Sequence, residues 1–535
     1  MPTTPPPPSS GPGSSSSGGG GGALLLKVML ESSSLESAGF DMSEIDVLTL
    51  HGTDEVSQLF DLRAKLVYKK TTPVAPSDMM YAPVTFVLRR NNVTVRRIHG
   101  IITGVRDQLN DSAHHSYIVY TIRVQPQMWN LTQVVNYDIY LNETIPDIIR
   151  AKLNAIDLVE GTDYAFNLLE ESTTYQPREF VLQYRETDLA FVQRLAEHWG
   201  ISFYFDHSGG GDKVVFTDHG AGFNQLEYND ALTLKSDGNE TEVYDLFVDW
   251  DPVPDFYCTV DYNYRRPTTD LTSTSNLDKG GPGGIVDYAS HYYTTDEGAH
   301  VANVRAQEQE AKRDVYRGRA DLQQLAAGHK CTIGPHTDRT LPTFLITKVE
   351  YRIEQPGGPM QLGNPNKEIA FDAIDATKTY RPPRVTPKPR IDGVIPAVVQ
   401  YDDSDFMDNF PALDSDGRYV LKFKFDMAST SDRDGSHRVR MAQTLAGEHY
   451  GFHFPVRRGV EVMVAFEDGD PDRPVIVGAI HHPTCPNPVV GPRAAEGSIP
   501  AHPGNQSKSR IKTESGIMIE LEDGAGSGLN RRTSS

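Results

Sequence analysis

With 535 residues, this chain is longer than one hydrophobic core organises, so several domains are expected, each able to bury a core of its own. Its 51 basic and 72 acidic residues leave a net charge of −21, which argues against a nucleic-acid partner, because duplex binding depends on basic groups that neutralise phosphates. Cys258, Cys331 and Cys485 are odd in number and far apart, which excludes a disulfide framework and a Cys-x-x-Cys zinc site.

Residues 1–22 hold only Met, Pro, Thr, Ser and Gly, a composition that cannot offset its ordering entropy, and a disordered leader is expected there. Leu24 to Leu30 follows an uncharged glycine run and lacks a basic flank, so it reads as a first strand and not as a signal peptide. No apolar run approaches the roughly 20 residues that span a bilayer. Synthesis and assembly in the cytoplasm are therefore expected.

From Ala23 the chain reads as short strands. Phe60, Leu62, Ala64 and Leu66 alternate, and Val84–Arg90, Val95–Val105 and Tyr117–Val124 are rich in β-branched and aromatic residues between turn-forming stretches, a pattern that suggests a barrel over 23–170. Trp129 reads as core, and His99 as a strand or turn residue and not as a ligand. Ile145, Ile148, Ile149 and Leu153 predict a short helix over Asn142 to Asn154.

Leu189, Val192, Leu195, Ala196 and Trp199 share one helical face, with Thr187 as N-cap and Gly200 just past the C-terminus. A hairpin follows through Ile201, Phe203 and Phe205, the turn Gly209–Gly211, and Val214 to Asp218. That glycine run lacks the Lys and Ser/Thr of a phosphate loop. Glu186, Asp188, Glu197 and His198 invite an acid/base reading, but no spacing joins them to a nucleophile, and solvated helix-surface charges are expected. Val243–Tyr264 predicts more strand, Thr272–Gly284 a surface loop, Glu297 to about Tyr316 a solvent-facing helix, and Leu341–Tyr351 and Glu368–Asp375 late strands. His291, Glu297 and His300 match no zincin order, so no metal is expected on them.

Arg381 to Arg390 is Pro-rich and basic, an interdomain linker over 381–392. Pro396–Gln400, Arg418–Phe425, His437–Gln443, Val460–Phe466 and Val475–Ile480 supply the five strands of an OB-fold over 393–485. Between the last two runs Glu467-Asp468-Gly469-Asp470-Pro471-Asp472-Arg473-Pro474. Its acids have a calcium-like spacing, but Arg473 stands where an EF-hand loop requires glycine, so turn chemistry is the reading. Residues 486–504 form a second linker. Ile517, Ile519 and Leu521 then alternate with Met518, Glu520 and Glu522, giving an apolar edge that one strand cannot bury alone.

Several of these spellings resemble one family. Arg458-Gly459, Glu461-Val462, Phe466, the 469–474 turn and Val477-Gly478 are similar to the small-barrel domain of VgrG proteins, the spikes of type VI secretion systems. Gln183-Tyr184-Arg185-Glu186 with its helix, Gly200-Ile201 and the aromatic strand resemble the VgrG hub, as do Gly52–Phe60, Arg97–Ile102, Tyr120–Leu131 and Asp261–Pro267. Asn505–Gly524 resembles the opening of the VgrG needle.

The resemblance implies a mainly β protein with an α+β hub: two hub barrels over 23–170 and 171–380, an OB-fold barrel, and the start of a trimeric β-prism over 505–535. It further implies a homotrimer with Ile511, Ile517, Ile519 and Leu521 at the trimer and tip interface, an Hcp-like tube protein behind the hub, a PAAR-like cap or effector ahead, and baseplate contacts. The target membrane would be crossed mechanically and the protein secreted or injected with the spike. No catalytic, cofactor or metal residue is implied. A lysozyme domain, which a related phage spike carries after its OB-fold, does not fit in 486–504, because even a small domain needs about 50 residues. Two alternatives stay open: the hub-spike of an extracellular injection particle or phage tail, and a carbohydrate- or nucleic-acid-binding OB module.

Overall fold

The computed structural model describes residues 26–70, 73–109, 117–169, 171–227, 232–234, 242–278, 280–334, 336, 338–355, 367–400, 411, 413–426, 436–488 and 507–522. The leader, most of 486–504 and the stretch after Glu522 lie outside the described residues. What is described is mainly β with an α+β hub.

One twelve-stranded sheet dominates the hub. Its path runs Leu26–Glu31, Pro83–Arg90, Val93–Asp107, Ile118–Gln125, Asp61–Tyr68, Ile45–Glu55, Thr343–Glu354, Lys367–Asp375, Asp314–Ala320 and Val243–Trp250, with Asn224–Gln225 and His329–Thr332 attached at the side. The expected strands are present within a few residues of their ends. Strands from both sides of residue 170 share this sheet, because Ile45–Glu55 pairs antiparallel with Thr343–Glu354 in the register Thr53 to Glu350. A side chain spans the remaining gap in the N-terminal half. The Gln355 amide accepts from Val28 N–H at 2.9 Å and donates to the carbonyls of Val28 and Val47, tying the first strand to Ile45–Glu55 where no ladder joins them.

The helix Asp188–Trp199 has the caps its sequence predicts. Thr187 accepts from Ala190 N–H, and Gly200 takes φ +75°. A Cβ at Gly200 would also come within 2.6 Å of Val304, so glycine serves both the turn and the close approach of the long helix Thr295–Arg313. The following hairpin pairs Ser202–Asp206 with Lys213–Thr217, which in turn runs parallel to Tyr164–Asn167.

Four expectations are corrected. Trp129 is only half-buried and meets Tyr81 at the surface, because the short helical turn around it directs Met128 and Leu131 inward instead. Glu186, Asp188 and Glu197 are not solvated; the helix is enclosed on most of its circumference, and each acid has a designated partner. The long helix ends at Arg313, buries Val301, Val304 and Ala311, and encloses an Arg305–Glu308 ion pair whose arginine is 1% exposed. It packs on Phe256–Asp261 and Leu271–Asn276. Part of the expected Thr272–Gly284 loop is thus an edge strand, in which Thr272, Thr274 and Asn276 are exposed and alternate with half-buried Ser273 and Ser275 beyond buried Leu271.

Three buried imidazoles meet where the 202–217 hairpin joins the large sheet. The backbone N–H of His99 donates to His207 Nδ1 at 3.2 Å, and among the described residues the Nε2 atoms of both rings have no hydrogen-bond partner. Burial first, then Arg97 and Arg96, lowers the pKa of His99 and His207, and burial lowers that of His329. The unfolded chain therefore binds more protons below about pH 6.5, and stability held above that pH is lost as pH falls toward the lowered values. Asp212, raised to about 6 by burial, acts with the opposite sign. Melting wild type and His207→Gln at pH 7 and pH 5 isolates the imidazole, since Asp212 is common to both. The drop between the two pH values should be smaller in the variant.

The OB unit is a five-stranded sheet in the order Ser436–Val439, Tyr419–Phe423, Ile395–Val399, Glu461–Phe466, Pro474–Ala479, as the alternation predicts. A bridge from Met441, just past one edge strand, to Ile476 in the other brings the two edges together. Its core takes in Phe180 and Leu182 from the hub, so the two units share apolar surface.

Candidate functional site

Two places stand out: the tip hairpin and the joint behind it. At the tip, Lys508–Lys512 pairs antiparallel with Met518–Glu522, with Ile511 opposite Ile519 and Ser509 opposite Leu521. Thr513 and Gly516, the latter at φ +94°, close the turn. The apolar strand therefore has a neighbour, contrary to its expected isolation, because the chain folds back within the needle segment itself. Pairing satisfies the backbone and leaves the side-chain face open. Lys508, Arg510, Glu520 and Glu522 lie on the other face, with Lys508 to Glu520 at 3.2 Å. Ile511, Ile517, Ile519 and Leu521 gather on one face and are 50%, 66%, 55% and 59% exposed. A two-stranded hairpin with such a face is marginal in water. It is tied back by Arg457 to Glu514 at 3.2 Å and Arg510 to the Pro488 carbonyl at 2.9 Å.

At the joint, the 381–392 segment is strapped down along its length. Arg381 donates to the Gly200 carbonyl at 2.9 Å and to Gln307 at 2.8 Å, and Arg384 meets Asp287 at 2.8 Å. The buried carboxylate of Glu197 accepts from Val385 N–H at 3.0 Å, Thr386 N–H at 2.8 Å and the Thr386 hydroxyl at 2.6 Å. Burial raises its pKa, and those donors offset part of the rise.

The OB turn 469–474 docks on the hub through its acids. Lys388 lies 2.6 Å from Asp470 and 2.8 Å from Asp472, and His291 Nδ1 lies 3.5 Å from each. Asp472 also accepts from Leu182 N–H at 2.7 Å, and Arg473 reaches Asp261 at 2.6 Å. Burial opposes charge on Asp470 and Asp472, but Lys388 and His291 outweigh it and hold both well below the usual carboxylate range. Burial likewise opposes charge on His291, yet Tyr293 and the two aspartates raise it to about 9. A cavity of about 340 Å³ opens beside this cluster, walled by His198, Trp199, Arg384 and Lys388 among others.

The clusters weighed from sequence are dispersed. Glu186 binds Arg194, Asp188 binds Lys152, and Glu197 holds the linker. Glu297 turns to Arg178 while His300 stacks on Trp199, so neither joins His291. Asp468, at φ +52°, faces Arg390, away from Asp470 and Asp472. The link from His291 to Asp470 and Asp472 connects the hub to the OB turn across a long stretch of chain, and no local spacing signals it.

Comparison with known proteins follows this architecture. Residues 53–357 match the family described as phage tail baseplate hub (GPD), and residues 412–481 match the type VI secretion system/phage-baseplate injector OB domain. The type VI secretion system spike protein VgrG1c of Pseudomonas aeruginosa is 28% identical over 486 residues, covering 87% of this chain and 62% of that protein. The actin cross-linking toxin VgrG1 of Vibrio cholerae is 25% identical over 519 residues, covering 90% of this chain and 43% of that protein. The chain thus spans about three-fifths of the length of its first curated relative and less of the toxin. The fold is similar to that of E. coli c3393, a type VI component with structural similarity to the T4 tail proteins gp27 and gp5, with a TM-score of 0.58 at 24% identity over 82% of this chain and 97% of that one. It is also similar to a chain of the Francisella PdpA-VgrG complex, with a TM-score of 0.59 at 10% identity over 94% and 84%. The hub match covers more than half of the chain and the OB match follows it in order, and on that ground the chain belongs to the VgrG family of type VI secretion system spike proteins, related to phage tail hub and spike proteins.

Proposed function

We propose that three copies of this chain form the non-enzymatic spike of a contractile injection machine, joining the inner tube to the puncturing tip and carrying a cap or effector into target cells. The observation that carries this reading is the joint: a family hub and a family OB unit are held together by a strapped linker and a buried ion cluster, so axial force on one is passed to the other without a hinge. The spike works by stiffness. Residues 23–170 and 171–380 serve as the two hub barrels, 381–392 as the strap, 393–485 as the OB collar, 486–504 as a second linker and 505–535 as the start of a trimeric β-prism, with a leader at 1–22.

In this reading the apolar faces of three tip hairpins, centred on Ile511, Ile517, Ile519 and Leu521, cover one another and present an end for a PAAR-like cap or effector. The hub rests on an Hcp-like tube protein within the baseplate. Assembly is cytoplasmic, export is by contraction, and the target membrane is crossed mechanically. No nucleic acid takes part.

Light scattering tests the first step. The purified chain should elute at three times 59.3 kDa. A monomer at micromolar concentration would remove the basis for a shared tip. Export that persists in cells with a contraction-dead sheath would remove the machine.

A further inference from the structure

We propose that His291, Asp470 and Asp472 form a divalent transition-metal site that clamps the OB turn to the hub, with Lys388 neutralising the two carboxylates when the metal is out. The inference is independent of the trimeric reading, since all ligands come from one chain.

Two of the three distances are those of a first coordination shell. One donor atom from each of the three residues lies within 4.8 Å of the others, and His291 Nδ1 is 3.5 Å from Oδ2 of Asp470 and of Asp472. A tetrahedral ion with bonds of about 2.0–2.1 Å to nitrogen and oxygen sets its ligands roughly 3.4 Å apart. The two separations from His291 already match such a shell, and approach of the two aspartate oxygens, which lie within 4.8 Å of each other, would complete it.

The outer contacts are also those of a metal site. His291 Nε2 pairs with the Tyr293 hydroxyl at 2.9 Å, which fixes the ring and leaves Nδ1 as the ligand. Asp472 Oδ1 accepts from Leu182 N–H at 2.7 Å, and Asp470 Oδ1 accepts from Asp472 N–H at 2.9 Å, so each carboxylate is held through Oδ1 and turns Oδ2 toward His291, with Lys388 2.8 Å from that of Asp472 and Arg473 4.0 Å from that of Asp470. His291 and Asp472 are 8% and 7% exposed, and the cluster opens on the cavity of about 340 Å³, where a fourth ligand such as water has room.

Lys388 is the competitor. Its ammonium lies against both aspartates, but its side chain is 35% exposed and rises from a linker, so it can withdraw as the metal enters and His291 gives up its proton. One imidazole with two carboxylates suits zinc, cobalt or manganese, whereas calcium prefers oxygen ligands alone.

The test uses the full chain stripped with chelator and titrated with Co²⁺, read by visible absorption and by equilibrium dialysis. Wild type should bind one Co²⁺ per chain with the intense bands of a low-coordinate ion. Lys388→Met should bind about tenfold more tightly, because a tethered cation no longer competes. His291→Phe and Asp472→Asn should each abolish the bands and any metal-dependent rise in melting temperature. Absence of bands in wild type at millimolar Co²⁺ would overturn the proposal even if Lys388→Met bound the ion, and so would binding that survives His291→Phe. Should Lys388→Met fail to fold, wild type against His291→Phe decides the question alone.

Discussion

Replacing Ile517, Ile519 and Leu521 together with Asp is expected to turn the proposed trimer into monomers while the hub and OB unit stay folded. All three side chains lie on the exposed face of the tip hairpin and none enters either large core. Burial in a three-copy prism would contribute roughly 1.5–3 kcal/mol per side chain, and a buried unpaired carboxylate reverses that sign. Three such changes per chain exceed what a micromolar assembly can absorb. Light scattering should report one-third of the wild-type mass, with circular dichroism and the main melting transition unchanged. On the proposed spike reading, cap capture and delivery should fall with it. A variant that stays trimeric and captures its cap as wild type does would remove the tip from the assembly mechanism.

The second large effect is expected at Glu197. The residue is 2% exposed, and its carboxylate accepts three hydrogen bonds from the strap at Val385 and Thr386. A hydrogen bond to a charged acceptor contributes about 1.5–3 kcal/mol, and three to one carboxylate are not additive, so Glu197→Ala should weaken local closure by about 3 kcal/mol. Cleavage of a transiently opened segment follows its open population, and 3 kcal/mol raises that population roughly 100-fold. Trypsin is the natural probe. Arg384–Val385 and Arg390–Ile391 are open to it by sequence, whereas Arg381 and Lys388 each precede proline. Limited digestion should therefore split Glu197→Ala into a hub fragment and an OB fragment at a rate at which wild type remains intact. Equal resistance would mean that the strap is held by Arg381 and Arg384 without Glu197.

Local pattern was enough for much of this protein. The helix Asp188–Trp199 was legible because its caps, Thr187 and Gly200, and its apolar face are encoded within a few residues of one another. The five OB strands were legible because period-2 alternation places one face in the core wherever the partner strand lies, and the 467–474 turn is spelled by its own Gly, Pro and Asp. The apolar face of the last strand was legible as well, since Ile517, Ile519 and Leu521 alternate with Met518, Glu520 and Glu522.

What tertiary structure decided lies where distant segments meet. The acids at 186–197 read as solvated because a helix sequence carries no record of Lys152, Arg194 or the Val385–Thr386 strap that covers them. Thr272–Gly284 read as a loop because Thr and Ser favour strand only when a neighbour such as Phe256–Asp261 supplies the ladder. The large sheet joins early and late strands through the pairing of 45–55 with 343–354, a register that neither strand encodes alone. His291, Asp470 and Asp472 come together for the same reason. Each is placed by its own local turn or loop, but the distance between them is set by how the OB unit seats on the hub, through Leu182, Lys388 and the shared apolar core.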